Sequence, residues 1–307
     1  MKPINTIKKI NPLNNSTEVP TGVYIVKKLL AFFMIYAVSA VVGEVIIIAG
    51  LSFAGYDPLN GVMPTGKFGM LLPYYGNAIF ILVTILYCKL IEKQSVKALG
   101  FEKKRILQYF TGALIAVVLL TAVIAVCCVT GSITYNGFNS EVDVLYIVVL
   151  LLGLVIQGAT EEIMCRGFLM QSLQKKTSVS VAIFVSSTAF ALPHLLTLLE
   201  ADTLYAIVGI VNLYLVSIIF SLLMLCGSNI WISCGLHTVW NFLLYGVFGL
   251  TLSGSESTSD AVFKFESTSS SIINGGVYGV EASVVTTVIL LVAVIIILVR
   301  FCKKESK

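Results

Sequence analysis

Long apolar stretches make up most of the chain, and short charged or turn-rich breaks separate them. A helix needs about 20 consecutive apolar residues to cross the hydrocarbon core of a membrane. The stretches are continuous rather than alternating, which favours helices over a β-barrel. Eight stretches reach that length, at roughly 28–51, 69–90, 106–130, 143–165, 179–199, 203–226, 229–250 and 283–301. The pattern predicts an all-α fold, a polytopic transmembrane bundle of about eight spans.

Composition supports a membrane protein. Apolar residues form 57% of the chain and charged residues only 12%, with a mean hydropathy of +0.96. Soluble domains carry roughly 25% charged residues, so a soluble globular enzyme is excluded. The seven cysteines form no Cys-x-x-Cys pair, which argues against a zinc ribbon and against a disulfide framework.

Four regions follow from these stretches. Residues 1–95 hold an N-terminal tail and the first two spans, and residues 96–250 hold a core of spans three to seven, of which the fourth continues as helix through Gln171 and Ser172. Residues 251–282 are rich in Ser, Thr and Gly and predict a flexible external loop, and residues 283–307 hold the last span and a basic tail. The apolar spans make the lipid bilayer an expected partner. No basic-aromatic stripe is present in the sequence, so nucleic acid is not an expected partner.

Basic residues concentrate on one side of the predicted membrane. Alternating the loops between the two sides puts 17 of the 20 lysines and arginines on one side, against Lys67 and Lys264 on the other. The positive-inside rule then predicts a multi-pass protein of the cell membrane with both termini in the cytoplasm.

Few ionisable residues lie inside the apolar stretches. Such groups cost at least roughly 2.5–3.5 kcal/mol each at mid-membrane, so each is a functional candidate. Apart from Glu44 they fall on three spans, as part of three short motifs: Glu161-Glu162-x-x-x-Arg166, Phe190-x-x-x-His194 and His237-x-x-x-Asn241. The four-residue spacing lets Glu162 pair with Arg166, and His237 share a face with Asn241, while Glu161 points about 100° away from Glu162.

This set of side chains can hydrolyse an amide in two ways. In one, Glu161 with His194 deprotonates a water, while His237 and Asn241 donate hydrogen bonds to the oxyanion. In the other, the glutamate and the histidines bind a divalent metal that activates the water. No His-Glu-x-x-His motif favours the metal.

The three motifs, in this order on successive apolar spans, resemble those of the CPBP family of intramembrane proteases. That family includes type-two CAAX prenyl proteases and Abi-like bacteriocin-immunity proteins, and the resemblance covers about residues 95–250. It implies that Glu161 is the catalytic carboxylate, supported by Glu162 and Arg166. It also implies that His194 is the partner of the water, with His237 and Asn241 at the oxyanion.

These observations predict an intramembrane endopeptidase that cleaves a membrane-associated peptide or protein with water activated by glutamate and histidine. No cofactor is expected, and a zinc-dependent metalloprotease is the mechanistic alternative. A non-enzymatic regulatory or immunity partner built on the same polar core is the functional alternative, and a small proton-coupled transporter is a further rival. No oligomeric state is predicted.

Overall fold

The structure is a computed structural model that describes residues 10–67, 69–255 and 258–305. The described residues form eight long helices and one two-stranded sheet. The helices are α1 (Thr21–Phe53), α2 (Leu72–Leu90), α3 (Gln108–Val129), α4 (Val144–Glu162), α5 (Val179–Ala191), α6 (Thr203–Gly227), α7 (Trp231–Asn241) and α8 (Val284–Glu305). The strands are β1 (Ile133–Phe138) and β2 (Phe263–Ser267), which pair antiparallel.

Three of these helices continue in a different helical form. α4 runs on as a π-helix over Ile163–Met170 and a last turn over Gln171–Leu173, as the sequence predicts for the fourth span. α5 continues as a 3₁₀ turn, Leu192–His194, and a final turn, Leu195–Leu198, while α7 continues as a π-helix over Phe242–Val247. Pro193 lies inside the 3₁₀ turn, where its missing N–H weakens regular helical bonding.

The predicted class of fold is confirmed, since helices coincide with all eight predicted spans. Among the described residues, seven of these helices are long and apolar enough to cross a membrane. α7 with its π continuation is shorter, because it lies inside the bundle rather than against lipid. Nine of its eleven α-helical residues are buried. A helix surrounded by protein does not need the full apolar length of a lipid-exposed span.

Two glycines let α3 and α7 approach closely. A Cβ atom at Gly112 would lie 1.9 Å from the carbonyl oxygen of Ile232, and one at Gly235 would lie 1.9 Å from that of Tyr109. Neither position can hold a side chain without moving a backbone. Small residues at a helix crossing are how membrane helices bring their backbones together.

The 251–282 segment differs from the flexible loop expected from its composition. Residues within it form β2, whose register with β1 runs from Ile133 opposite Ser267 to Phe138 opposite Phe263. The amide of Asn274 donates to the carbonyl oxygen of Ser132 at 2.9 Å. The described part of the segment is therefore folded against the bundle. Glu256 and Ser257 lie outside the described residues.

A charged cluster ties this segment to the starts of α2 and α4. Lys67 Nζ lies 2.8 Å from Asp143 and 2.9 Å from Asp260. The hydrogen bond to Asp143, followed in size by the bond to Asp260, raises the pKa of Lys67. The same bond to Lys67 lowers the pKa of Asp143. Asp143 also caps α4 by accepting from the Tyr146 amide.

The predicted orientation of the protein depends partly on Lys2, Lys8, Lys9 and Lys307, and these four lysines lie outside the described residues.

Candidate active site

The six predicted site residues lie together where α4, α5 and α7 pack against one another. Glu161 and Glu162 are the last two residues of α4, and Arg166 lies in its π continuation. His194 ends the 3₁₀ turn of α5, and α7 carries His237 and Asn241. All eight residues of the π segment after Glu162 are buried. π-turns are rare in proteins and are frequent at functional sites.

Glu162 is the central acceptor of a buried ion pair. Its Oε1 accepts from Arg166 Nη1 at 3.0 Å and contacts His237 Nδ1 at 3.0 Å, and neither side chain of the Glu162–Arg166 pair is exposed at all. A carboxylate paired with a guanidinium can only accept, so His237 must donate from Nδ1. The imidazole also stacks on Phe220, with ring centroids 4.9 Å apart. Glu162 thus fixes both the orientation and the tautomer of His237.

Arg166 is held on its other sides by a hydroxyl and two aromatic rings. Its Nη2 donates to Ser217 Oγ at 2.6 Å. The guanidinium carbon lies 4.5 Å from the ring centroid of Phe190 and 4.9 Å from that of Phe220. Cation–π contacts of this kind are strongest where water is excluded. The charge of Arg166 is therefore compensated on several sides in the core.

Glu161 faces both imidazoles with its second oxygen. Glu161 Oε2 lies 3.8 Å from His194 Nε2 and 3.8 Å from His237 Nε2, and it has no direct hydrogen-bond partner among the described residues. A water that hydrogen-bonds both groups can bridge polar atoms that are more than 3.5 Å apart. The side chains of Glu161 and His194 are 27% and 20% exposed, whereas that of His237 is 6% exposed. The side chains of Glu161 and His194 are thus partly accessible, while Glu161 Oε2 itself is buried against the imidazoles.

Gln157 connects Glu161 to Asn241 across the site. The sequence analysis did not single it out. Its Nε2 donates to Glu161 Oε1 at 2.5 Å, and its Oε1 accepts from Asn241 Nδ2 at 2.9 Å. Gln157 precedes Glu161 by four residues, so the two share a helix face. That spacing was the signal available in the sequence. The amide orients the carboxylate and the Asn241 carboxamide at once.

The site opens into a cavity of about 310 Å³. His194, His237 and Asn241 line it together with mostly apolar side chains, among them Phe190, Leu213, Val216 and Leu290. Pockets of this size and character, with a few convergent polar groups, are typical of substrate sites. A smaller cavity of about 100 Å³ lies on the other side and is lined by Glu161, Thr160 and Asn77. Phe190 and Pro193 border both cavities.

The 251–282 segment forms part of the wall of the larger cavity. Glu281 Oε1 accepts from Trp240 Nε1 at 3.1 Å, and its Oε2 accepts from the Ser253 amide at 2.7 Å. Leu252 and Tyr278 also line the cavity. Composition alone predicted a flexible external loop and assigned it no chemistry, so this contribution was missed. Nothing in the local sequence distinguishes Glu281 from the other acidic residues of the segment.

Metal binding requires three or four ligands at short, matched distances. Across residues 10–67, 69–255 and 258–305, no group of three or more His, Cys, Asp or Glu side chains is arranged to hold a metal ion. Glu162 and Arg166 neutralise one another, and Glu161 is bonded to the Gln157 amide. The described residues therefore hold no preformed group of metal ligands. The two Nε2 atoms that face Glu161 Oε2 leave the zinc-dependent alternative to be decided by chelation. Independence from metal stays a prediction.

Removing the amide of Gln157 is expected to slow turnover without unfolding the protein. Gln157→Leu keeps the size of the side chain but loses both hydrogen bonds, so Glu161 and Asn241 are no longer aligned. A misplacement of about 1 Å can cost about 100-fold, so we expect kcat to fall roughly 10- to 100-fold with KM little changed. Steady-state kinetics and a melting curve of the purified protein test this. Gln171→Leu, the same change farther along the same span, is the control and should keep full activity.

Comparison with known proteins identifies the region that carries this site. Residues 143–243, a third of the chain, match the family model described as "Type II CAAX prenyl endopeptidase Rce1-like". The matched residues include the three motifs and Gln157. No curated protein matches the chain. The family predicted from the motifs is confirmed over this core.

Proposed function

We propose a hydrolytic mechanism for this chain. Through residues 143–243 it belongs to the Rce1-like type II CAAX prenyl endopeptidases. With its apolar helices, it is thus a multi-pass membrane endopeptidase. The observation that carries the proposal is the position of Glu161 Oε2, 3.8 Å from each of two imidazoles that line a substrate-sized cavity. The substrate is a membrane-associated peptide or protein, because the cavity is mostly apolar and lies within a bundle of lipid-exposed helices.

The charges of the buried cluster determine which groups can donate. Glu161, Glu162 and Arg166 together carry one net negative charge. His237 donates from Nδ1 to Glu162, so its Nε2 can also donate only when the ring is an imidazolium, and the proposed mechanism uses that form. That imidazolium N–H, close to Glu161, suits the negative oxygen of a tetrahedral intermediate.

The reaction then takes two steps. Water lies between Glu161 Oε2 and His194 Nε2, gives its proton to the carboxylate and attacks the carbonyl carbon of the peptide bond. The oxyanion accepts hydrogen bonds from His237 Nε2 and from the Asn241 amide hydrogen that does not bond Gln157. As the carbon–nitrogen bond breaks, Glu161 returns the proton to the leaving nitrogen, giving a free carboxyl and a free amine. The smaller cavity behind Glu161 supplies water from the side away from the peptide.

Membrane peptidomics tests the proposed function directly. Cells carrying the wild type are compared with cells carrying Glu161→Gln at the same expression level. At least one membrane peptide should accumulate uncut in the variant and appear as two fragments in the wild type. Identical peptidomes at matched expression would instead favour the non-enzymatic alternative, a regulatory or immunity partner.

Chelation is expected to leave activity unchanged. No side chain in the proposed mechanism needs a cation, since Gln157 and the imidazoles compensate the Glu161 carboxylate. Purified protein treated exhaustively with a strong chelator should cleave its peptide at the untreated rate and contain less than one zinc per chain by elemental analysis. Complete loss of activity that zinc restores would establish the metalloprotease alternative.

The proposed orientation places both termini in the cytoplasm, based on the 17-to-2 distribution of basic residues. Ser257 lies outside the described residues, so the external probe is placed at exposed Ser269. A membrane-impermeant maleimide should label Ser269→Cys on intact cells, and it should label exposed Cys302 only after permeabilisation. The opposite pattern would reverse the topology.

A further inference from the structure

A groove of about 630 Å³ lies between α3, α6 and α8 and shares no lining residue with the active-site cavity. Its walls are largely apolar. On α8, Val288, Val292 and Ile296 line the groove at intervals of four residues, and each is 51–59% exposed. An exposed apolar stripe of this kind faces the acyl chains when the bundle is in a membrane.

One end of the groove is cationic. Arg105, which precedes α3, and Arg300, near the end of α8, both line it. Arg105 Nη1 donates to the Gly227 carbonyl oxygen at 2.6 Å, which orients the side chain while using one of its five N–H groups. No ion pair among the described residues involves either arginine. Lys103 and Lys104 are exposed beside Arg105 and add to the positive potential.

The length of the groove matches one leaflet. Twelve residues separate Val288 from Arg300, which corresponds to about 18 Å along a helix. Half of a hydrocarbon core of about 30 Å is about 15 Å. A chain that follows the groove from the arginines therefore ends near the middle of the bilayer. The cationic end lies on the side where most basic residues are found, and basic pockets between helices on that side bind anionic headgroups.

We infer that this groove binds an anionic phospholipid, with the phosphate on Arg105 and Arg300 and one acyl chain along α8. Arginine suits this role because its planar fork binds phosphate oxygens in pairs. The inference is independent of the proposed function, because the groove and the active site have separate walls.

Native mass spectrometry of the full chain in detergent tests the inference, with dioleoylphosphatidylglycerol as the probe and dioleoylphosphatidylcholine as the neutral comparison. The anionic lipid should bind more tightly and raise the melting temperature. Arg105→Gln with Arg300→Gln should weaken its binding about 30-fold, which corresponds to about 1 kcal/mol for each arginine. The control pair Lys89→Gln and Lys93→Gln, exposed basic residues that do not line the groove, should bind as the wild type does.

A second variant separates a lipid from a free anion. Val292→Trp fills the groove without changing its charge, so it should weaken phosphatidylglycerol binding and leave the protein folded. Equal affinity for the two lipids, or equal binding by the double arginine variant, would overturn the inference. Stabilisation by glycerol phosphate alone, as large as by the lipid, would make this a free-phosphate site and overturn the lipid assignment.

Discussion

Replacing Glu161 by glutamine is expected to abolish peptide cleavage while the protein remains folded. The amide has nearly the size of the carboxylate and can still accept the hydrogen bond from Gln157, but it cannot take a proton from water. General base catalysis contributes roughly 10²–10⁴ in rate, so we expect turnover to fall by at least about 100-fold. Single-turnover rates of purified wild type and variant, on a peptide identified by peptidomics, measure the effect.

Two comparisons make this result specific to the site. Glu200→Gln removes an exposed carboxylate at the end of the α5 span, and it should keep full activity. Glu161→Gln should lower the melting temperature only slightly, because the amide keeps the hydrogen bond from Gln157 and loses only the 3.8 Å attraction to the imidazoles. Cleavage at more than a tenth of the wild-type rate would show that another group is the base.

Removing Arg166 is expected to destabilise the fold more than any other single change at the site. Arg166→Ala removes the only guanidinium beside the fully buried Glu162 carboxylate, which keeps only His237 as a donor, and also opens a cavity between Phe190 and Phe220. Breaking a buried pair by removing one partner costs roughly 3–5 kcal/mol. The free energy of unfolding in detergent and the folded yield should both fall. Lys89→Ala, at an exposed basic residue, should change stability by less than about 0.5 kcal/mol.

A double-mutant cycle identifies the cause of that loss. Glu162→Gln removes the charge but keeps an acceptor for His237 Nδ1. If the stranded charge dominates, Glu162→Gln combined with Arg166→Ala should be more stable than Arg166→Ala alone, with a coupling of about 0.5–3 kcal/mol. Additive losses would show that packing against the two rings, rather than charge, explains the effect of Arg166.

The spans and the pairing within each motif could be predicted from the sequence. Lipid cannot hydrogen-bond the backbone, so a spanning segment must be a continuous apolar helix, and its length is visible in one dimension. The i,i+4 spacing of Glu162 and Arg166 likewise predicted their 3.0 Å contact, because helix geometry is local. Only α7 is shorter than a membrane-crossing helix, since its neighbours are protein and not lipid.

The contacts between motifs were decided by packing. Gln157 shares a helix face with Glu161, but its bond to Asn241 depends on how closely α4 approaches α7. Gly158 allows that approach, because a Cβ there would lie 3.1 Å from Thr238 Oγ1. The carboxylate that orients His237 also belongs to another helix. Such crossings depend on the shapes of both surfaces, which no single stretch of sequence contains.

The 251–282 segment separates most clearly what the sequence determined from what the tertiary structure decided. Its Ser, Thr and Gly content determined that it cannot span the membrane. The alternation Phe263-Lys264-Phe265-Glu266 is typical of a strand, but a run of four residues does not identify a partner for it. Its fold comes from partners more than 120 residues away, such as Asn139 bonded to the Ala261 carbonyl oxygen and β1 paired with β2. Because these contacts are made between distant parts of the chain, only the tertiary structure places Glu281 and Tyr278 in the wall of the active site.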